Sequence, residues 1–505
     1  MLRITTLFLA VGFMMTSTSL SAQKLLSSFP LKQAPLNDGL YFPYQDDQGC
    51  EHMLIYPDEH NLRVLYLDAE FQLLEDIRVW QETQWATGFQ ILSYIDQPEE
   101  LLMMVQLSGF EDLNCLIYNK AERSLKRTEL EIPLKFGALY SMPIVHEGGF
   151  LSLQIPRKGS EIVVHRTPDG HILQSDTFDV GLDRLKNFYE LPQTNLLFPI
   201  TAASGNSLFS NIATSKLYLY GPLLYLSIED QKKKTTQLIS INLDDKTQST
   251  TEYRFPNPPN TIEAHSTTSL VYEDLILLAS FEEGMGLALD VYELGFAEPS
   301  QHYDFPSNAS MDDYFLEVEA ERNDGESLRG THDLHENLRK SLILSLEPTA
   351  EGDLWLIVGS IRQLSPEAQY ALMMTTAITG AFLGVTLDPI SLGNGIVTIA
   401  PNNGILSSAD IILSISDRYG KFFYRVGSLR AQDLSFKPRV EIEAVQAQAD
   451  ESREMQTPYQ KIGDFMVENR AYRPTSPSKI MFPYQNGIVM GFATRKRQMM
   501  LYYFE

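Results

Sequence analysis

Short runs of apolar or alternating residues, separated by turn-forming residues, make up most of the chain from about Leu40 onward. Five of these runs are Leu101 to Leu107, Phe150 to Ile155, Leu223 to Ile228, Leu275 to Phe281 and Leu287 to Leu294. Their lengths, their Leu, Ile, Val and Tyr content, and the Gly, Asp and Asn residues between them favour strands over helices. Strands do not alternate with helices as they would in a βαβ fold, so the pattern predicts an all-β protein.

One hairpin recurs along the chain, made of an apolar strand, a polar turn and a returning strand. Asp, Asn and Gly suit the turns because their backbones tolerate tight-turn angles. The tips of the hairpins lie at Asp68, Asn119, Asp169, Asp244 and Gly295. Successive tips are 51, 50, 75 and 51 residues apart. A period near fifty is typical of propeller blades, which are small four-stranded sheets that must pack against one another to bury both faces.

The tetrapeptide Phe-Pro-Tyr-Gln occurs twice, at residues 42–45 and 482–485. Each copy follows a large residue, Tyr41 or Met481, and leads through an Asp or Asn and a Gly into an apolar strand. A shared tetrapeptide can arise by chance in a long chain, so the similar context carries the interpretation. We interpret the two copies as the same position in the first and last repeat units.

The last repeat unit has three strand patterns where a four-stranded blade needs four. These are Lys479 to Gln485, Gly487 to Thr494 and Gln498 to Glu505. The segment Leu25 to Leu31, at the other end of the chain, has the pattern of the missing strand. We therefore predict that an N-terminal strand completes the last blade.

The predicted fold is a single all-β propeller of about seven four-stranded blades over residues 23–505. Six or eight blades would also fit the spacing. Inserts are predicted near 307–352, 363–408 and 441–479; the first two carry small helices and split the sixth unit, and the third is irregular and polar. In the first insert, a stripe of Leu334, Leu338 and Leu342 predicts a helix. In the second, Ser365 and Pro366 have the residue types of a helix start.

Residues 1–22 are predicted to be a cleaved export signal. Arg3 supplies the positive charge, and Ile4 to Met15 form an apolar run too short for a bilayer span of ~20 residues. Small and polar residues follow up to Ala22. The sequence Ser21-Ala22-Gln23 resembles the signals of proteins exported by Gram-negative bacteria, which implies a periplasmic or extracellular location with cleavage near Ala22.

The formal net charge of the chain is −25, and loss of Arg3 with the signal makes it −26. A negative field repels phosphate backbones and anionic lipid headgroups, so nucleic acid and membrane surfaces are not expected partners. Solubility is the simpler explanation of the acidity. A monomer is expected.

Cys50 and Cys115 are the two cysteines of the chain, and both lie in strand-like contexts. An oxidising compartment would allow them to form a disulfide, while two buried thiols fit the sequence equally well. The sequence leaves both alternatives open.

Motifs of known enzymes are absent from the sequence, including Gly-x-Ser-x-Gly, a Walker loop, His-Glu-x-x-His and Cys-x-x-Cys. The repeat motifs of sialidase and Trp-Asp propellers are also absent, and a Gly-Gly pair like that of kelch repeats occurs once, at 148–149. The resemblance to known propellers therefore concerns architecture, and it assigns no catalytic residue. No cofactor is expected.

Two groups of residues are weak candidates for a site. His332, His335 and Glu336 would share one face of a helix and could ligate a metal, although a solvated helix face is the favoured interpretation. Met373, Met374 and Phe382 lie in a stretch without charged side chains, 369–387, that could contact a membrane surface or a partner. Burial of that stretch against the propeller is the favoured interpretation.

The sequence thus predicts an exported, non-catalytic protein that binds a protein, a glycan or a surface component. The binding face would be shaped by the inserts between Ser307 and Ser408, because loops on a rigid frame commonly carry binding residues. The alternative is a secreted hydrolase or lyase whose acid and base are carboxylates gathered from several blades in the central funnel.

Overall fold

The computed structural model describes residues 23–81, 89–181, 196–201, 215–317, 342–361, 390–392, 395–397, 422–442 and 479–504, with short gaps inside several of these ranges. The predicted export signal and most of the three predicted inserts lie outside the described residues. The described residues form seven sheets of four or more strands and one two-stranded sheet.

The first compact unit comprises Met1–Gln90, Gly393–Gly395 and Met455–Glu505. Its described strands form two four-stranded antiparallel sheets, which we number 1 and 7. The N-terminal strand β1 (Gln23–Pro30) is the fourth strand of sheet 7, at the edge opposite to its first strand, β31 (Lys479–Tyr484). Sheet 1 follows in the chain with β2 (Leu40–Pro43), β3 (His52–Pro57), β4 (Asn61–Leu67) and β5 (Leu73–Gln81).

The second compact unit comprises Ile91–Leu392 and Ile396–Glu454, and it contains sheets 2 to 6. Sheet 2 consists of β6 (Phe89–Asp96), β7 (Glu100–Leu107), β8 (Leu113–Asn119) and β9 (Ser124–Ile132). Sheet 3 consists of β10 (Leu139–Ser141), β11 (Ile144–His146), β12 (Gly149–Ile155), β13 (Glu161–Thr167), β14 (Gln174–Asp179) and β15 (Leu196–Leu197). Sheet 4 consists of β16 (Pro199–Thr201), β17 (Ser215–Tyr220), β18 (Leu223–Asp230), β19 (Thr235–Asn242) and β20 (Thr247–Arg254).

Sheet 5 consists of β21 (Ser266–Tyr272), β22 (Leu275–Glu282), β23 (Gly286–Glu293) and β24 (Gln301–Phe305), which the helix α1 (Asn308–Asp312) follows. Sheet 6 consists of β25 (Phe315–Glu317), β26 (Leu342–Pro348), β27 (Leu354–Ile361) and β30 (Phe422–Leu429). The two-stranded sheet consists of β28 (Ile390–Leu392) and β29 (Gly395–Val397). Sheet 7 ends the chain with β31 (Lys479–Tyr484), β32 (Gly487–Ala493) and β33 (Gln498–Phe504).

These repeated antiparallel sheets confirm the predicted propeller fold class. The predicted hairpin tips that the structure describes, Asp68, Asn119, Asp244 and Gly295, lie at the turn between the third and fourth main strands of sheets 1, 2, 4 and 5. Asp169 lies outside the described residues. Grouping of residues 23–505 into one domain stays a prediction.

The N-terminal strand completes sheet 7, as predicted. The order of this sheet is β1-β33-β32-β31, and β1 pairs with β33 from Gln23 opposite Phe504 to Pro30 opposite Gln498. Sheets 7 and 1 share a buried apolar cluster that includes Leu54 and Val489. Phe29 and Leu31, near the N-terminus, are part of this cluster. The first unit is therefore held together by residues from both ends of the chain.

Sheets of the second unit pack face to face in chain order. Phe150 of sheet 3 joins the apolar cluster of sheet 2. Sheets 3 and 4 share a cluster that includes Leu153 and Leu226, and sheets 4, 5 and 6 share another that includes Leu278 and Leu344. Each of these faces consists of alternating apolar residues, because successive side chains of a strand point to opposite faces.

Sheet 6 places Leu342, the last leucine of the stripe predicted to be helical, in a strand. Its strand order is β25-β30-β27-β26, so the insert contributes two strands of the sheet. Leu342 begins β26 and is buried in the core, whereas Leu334 and Leu338 lie outside the described residues. Leu342, Leu344 and Leu346 lie in one apolar cluster, so every second side chain of β26 faces the core. A spacing of four residues between leucines fits such a strand as well as a helix.

The edge formed by the first strand of a sheet, here called the first-strand edge, is protected in three ways. An unprotected edge presents unpaired backbone groups that invite pairing with another chain. Pro43 and Pro483 lie on the first strands β2 and β31, where proline removes a backbone donor. This is the structural role of the proline in both Phe-Pro-Tyr-Gln copies.

A short segment of the chain covers the first-strand edges of sheets 3 and 4. Residues 196–197 pair in parallel with β10, and residues 199–201 pair in parallel with β17. The side chain of Ile200 is buried against the core that contains Tyr218. The sequence pattern did not predict this segment, because two or three residues per strand leave no readable period.

A buried ion pair protects the first-strand edge of sheet 5. Lys216 Nζ lies 2.7 Å from Glu229 Oε1, and the two side chains are 0% and 2% exposed. Glu229 Oε1 accepts a hydrogen bond from Ser269 N at 2.7 Å, and Lys216 Nζ donates one to Ser269 O at 2.6 Å. Both backbone groups of Ser269 on β21 are thus satisfied by side chains of sheet 4.

Deletion of Leu25 to Leu31 is expected to lower the melting temperature out of proportion to its length. Phe29 and Leu31 would each lose burial worth roughly 1.5–3 kcal/mol, and β33 would gain a bare edge. Thermal unfolding followed by circular dichroism measures the effect. Leu25→Ala is the matched control, because that side chain is 47% exposed and its loss should cost no more than about 0.5 kcal/mol. An unchanged melting temperature in the deletion variant would contradict a structural role for β1.

Lys216→Met is expected to destabilise the protein by about 3–5 kcal/mol, because it leaves the Glu229 carboxylate buried without its cation. The double variant Lys216→Met with Glu229→Leu should cost less than the sum of the two single changes, since no buried charge remains. Chemical denaturation of the four chains of this cycle measures the coupling. Additive effects would show that the pair does not act as one unit.

Candidate functional site

Six aromatic rings pack together where sheets 1 and 7 of the first unit meet. We call this set the aromatic cluster; its members are Tyr41, His52, Phe71, Phe482, Tyr484 and Tyr503. It contains residues of β2 and β3, of the β4–β5 turn, and of β31 and β33. The cluster therefore depends on both ends of the chain.

The rings of the aromatic cluster are held in defined stacking geometries. Tyr41 stacks on Phe482 with ring centroids 3.6 Å apart and planes 6° apart. His52 stacks on Phe71 at 4.0 Å and 2°. Tyr484 meets Phe71 edge to face at 5.0 Å and 82°. Stacked and edge-to-face contacts both stabilise aromatic pairs beyond the area they bury, so the ring orientations are fixed by packing.

The two Phe-Pro-Tyr-Gln copies place their side chains on corresponding faces of sheets 1 and 7. In the second copy, Phe482 and Tyr484 face sheet 1 and join its apolar cluster. In the first copy, Tyr41 faces sheet 7, where its ring stacks on Phe482. Because successive side chains of a strand point to opposite faces, Phe42 lies on the other face of sheet 1, the face away from sheet 7. Tyr44 has the same parity as Phe42, and its ring lies 5.6 Å from that of Tyr66. This agreement supports the interpretation of the copies as one repeat position.

A strained turn positions Phe71 in the cluster. Phe71 has φ 59°, a conformation that is uncommon for a residue other than glycine. Asp68 holds the turn, because its Oδ1 accepts hydrogen bonds from the backbone N of Glu70 and of Gln72. The Phe71 N donates to Asp68 O at 3.0 Å. Burial of the Phe71 ring offsets the backbone strain.

The turn that follows Tyr484 requires glycine. A Cβ at Gly487 would lie 2.1 Å from the carbonyl oxygen of Phe504. The close approach brings β32 against the end of β33, next to Tyr503. The glycine that closes the Phe-Pro-Tyr-Gln hairpin is therefore needed for the packing of the cluster.

Burial keeps His52 neutral. Its side chain lies inside the cluster, and the residue is 7% exposed. Desolvation by burial lowers the pKa of His52, although the carboxylates of Glu51 and Asp68 act in the opposite direction. The Tyr41 hydroxyl lies 3.0 Å from His52 Nδ1 and donates to it when the imidazole carries its proton on Nε2. Burial, together with Tyr484, raises the pKa of Tyr41 to about 12.

The cluster presents three half-buried tyrosines on a buried base. Tyr41, Tyr484 and Tyr503 are partly accessible, whereas Phe71 and Phe482 are buried beneath them. Acidic residues adjoin the cluster in sequence: Glu51 precedes His52, and Asp68 and Glu70 flank the turn that carries Phe71. The arrangement is a rigid, partly exposed aromatic surface with a negative border.

A second group of interacting polar side chains lies on one face of sheet 5. Asp290 on β23 is paired with His302 on β24, and Asp304 is two residues further along β24. His302 Nδ1 lies 2.5 Å from Asp290 Oδ1, and Nε2 lies 3.1 Å from Asp304 Oδ2. The Tyr292 hydroxyl donates to Asp290 Oδ2 at 3.3 Å.

Two carboxylates favour the cationic form of His302. Partial burial lowers the pKa of His302, but the hydrogen bonds to Asp290 and Asp304 outweigh it, and the net effect is a raised pKa. No pattern in the sequence singles out this group. However, the hairpin predicted around Gly295 could have indicated it, because the pairing of the two strands places Asp290 opposite His302.

The predicted site residues fall mostly outside the described part of the chain. His332, His335 and Glu336 lie there, as do Met373, Met374 and Phe382. In the described part of the chain, no group of three or more His, Cys, Asp or Glu side chains is arranged to hold a metal ion.

Cys50 and Cys115 are both buried thiols, and no disulfide joins them. Cys50 Sγ lies 3.3 Å from the carbonyl oxygen of His52. Burial raises the pKa of Cys115 to about 12, which disfavours the reactive thiolate. Of the two alternatives that fit the sequence, a disulfide or two buried thiols, the structure has the two buried thiols.

Helices are rare in the described residues, and none of those helices has the length and apolar character needed to cross a membrane. The uncharged stretch 369–387 lies outside these residues.

No protein-family model matches the chain, and no curated protein matches it. No family is assigned. Similar solved structures include the WD40 domain of SCAP from fission yeast, with 12% identity over 61% of this chain and 70% of that chain and a TM-score of 0.28. A periplasmic gluconolactonase from Pseudomonas aeruginosa matches with 13% identity, over 52% of this chain and 69% of that chain, with a TM-score of 0.26.

A third similar structure is dipeptidyl peptidase 4 from Porphyromonas gingivalis, with 7% identity, 63% of this chain covered and a TM-score of 0.27. The match spans only 39% of that enzyme. Likeness at this level carries no argument about what this chain binds or converts.

His302 and His52 are expected to give opposite dependences of stability on pH. His302 has a raised pKa, so its contribution is complete below pH 6.5 and is lost as the pH rises through the raised value. His52 has a lowered pKa, so its contribution is complete above pH 6.5 and is lost as the pH falls through the lowered value. Urea unfolding at a series of pH values measures both.

Single variants separate the two histidines. His302→Gln should remove the loss of stability on the alkaline side, and His52→Gln should remove the loss on the acidic side. If either variant keeps the pH profile of the unchanged chain, that histidine does not carry the assigned dependence.

Proposed function

We propose that this chain is an exported, non-catalytic binding protein whose ligand contacts the aromatic cluster. The observation that carries the proposal is the set of half-buried Tyr41, Tyr484 and Tyr503 rings on a buried aromatic base. Tyrosine gives a large contact area, and its hydroxyl adds a polar handle. Because packing already fixes these rings, a ligand would meet a preorganised surface and pay little ordering entropy.

Export is supported by the predicted signal over residues 1–22. Strand β1 begins at Gln23, so cleavage near Ala22 would leave the whole of this strand in the mature chain. Pairing of β1 with β33 then needs no residue of the signal.

Contacts through the predicted inserts between Ser307 and Ser408 remain part of the proposal. A protein, a glycan or another surface component would contact the aromatic cluster, and Met373, Met374 and Phe382 stay separate candidates for a contact. The chain is expected to act as a monomer without a cofactor.

The alternative, a secreted hydrolase or lyase, needs a general base with an available lone pair. A catalytic histidine base commonly has a carboxylate partner, and His302 has one in Asp290. However, both of its nitrogens lie against carboxylates, which favours the form that has a proton on each nitrogen and no lone pair to accept another. This group of sheet 5 therefore has the character of an ion-paired surface, which supports the non-catalytic proposal.

The test is a glycan and protein-ligand array run beside a broad hydrolase screen on the chain that begins at Gln23. A bound ligand is expected, with affinity reduced about fivefold or more by Tyr484→Leu, which keeps apolar bulk but removes the ring. His302→Gln, on another sheet, should leave the affinity unchanged. Turnover that disappears when carboxylates are replaced would overturn the non-catalytic proposal.

A further inference from the structure

We propose that the ligand of the aromatic cluster is a basic polypeptide segment, whose Arg or Lys side chains contact the accessible parts of the half-buried tyrosine rings and face the carboxylates beside them. This inference rests on the proposed function and names the chemistry of the partner. It combines three features of the first unit: the half-buried tyrosine rings, the acidic border and the surface shape.

The ring faces suit cations. The face of an aromatic ring carries negative charge density, and ammonium or guanidinium groups bind there, with guanidinium also stacking on the ring. Tyr484 and Tyr503 have centroids 6.1 Å apart in an edge-to-face arrangement, so their faces point in different directions. Two cations of one segment can therefore be received by neighbouring rings.

The border of the cluster is acidic. Glu51 and Glu70 are exposed, and Asp68 is partly exposed. The carboxylates of Glu51 and Asp68 are close enough to the cluster to act on the pKa of His52. Within the described part of the chain, none of these three carboxylates forms an ion pair. Lys24 is a basic residue of the same unit, exposed on β1 opposite Tyr503. Its positive charge acts against the attraction of these carboxylates for a cation.

The shape of the surface favours a polypeptide over a small cation. The tyrosine rings are half-buried and follow one another along the junction of two sheets, so no single ion would be surrounded by them. A segment with several cations can engage rings and carboxylates together. The net charge of −25 adds a field that attracts a basic partner from a distance.

The experiment uses the chain that begins at Gln23 and three probes: a hexa-arginine peptide, a hexa-glutamate peptide and a set of neutral oligosaccharides. Isothermal titration calorimetry at low and at physiological salt measures affinity. We expect hexa-arginine to bind, with affinity that falls as salt rises, and the other two probes to give no binding.

Matched variants locate the site. Glu51→Gln with Glu70→Gln should weaken hexa-arginine binding about fivefold or more. Glu293→Gln with Glu298→Gln, exposed residues at the end of β23 and in the β23–β24 connection, make the same change of charge and should alter the affinity less than about twofold. Tyr484→Leu should weaken binding about two- to fivefold, whereas Tyr44→Leu, at the same position of the first copy, should not. Melting temperatures verify that each variant is folded.

The outcomes separate this inference from the proposed function. Equal effects of the two glutamate pairs would show general charge attraction and overturn the inference. Binding of a neutral oligosaccharide that Tyr484→Leu abolishes, without binding of hexa-arginine, would overturn the inference and support the proposed function. Absence of binding by all three probes would overturn the inference, and absence of any ligand in the array would overturn the proposed function.

Discussion

The whole structure depends on covering the faces and edges of small sheets. A four-stranded sheet has two apolar faces and two rows of edge backbone groups, and none of them can be left bare at low cost. Neighbouring sheets cover the faces through shared clusters of Leu, Ile and Val. The edges are covered by three different devices: prolines on β2 and β31, the segment 196–201, and the Lys216–Glu229 pair.

The pairing of β1 with β33 has a second consequence, because it completes the sheet that carries half of the aromatic cluster. Phe482 and Tyr484 belong to that sheet, and Tyr41 and His52 belong to its neighbour in the first unit. The proposed binding surface is thus assembled from residues more than four hundred positions apart in the sequence. Its rigidity follows from burial of its base, and its polarity follows from the turns that carry Glu51, Asp68 and Glu70.

Sequence reasoning succeeded where a local pattern repeats. Hairpin tips of Asp, Asn and Gly marked the turns before the fourth strands, and the Phe-Pro-Tyr-Gln copies marked the first strands of sheets 1 and 7. It failed for Leu342, whose spacing suits a helix and a strand equally, and for residues 196–201, whose strands are too short to show a period. The sequence did not predict the contact of His302 with Asp290, because the two residues lie on different strands.

The sequence by itself determined the strand content, the repeat, the strand that the N-terminus contributes and the role of the turn residues. These depend on hydrophobic periodicity and backbone angles, which act over a few neighbouring residues. Tertiary structure decided which side chains meet: Tyr41 with Phe482, Lys216 with Ser269, and His302 with two carboxylates. Such meetings depend on sheet packing and cross-strand register, and no local pattern encodes the distance between residues of different strands.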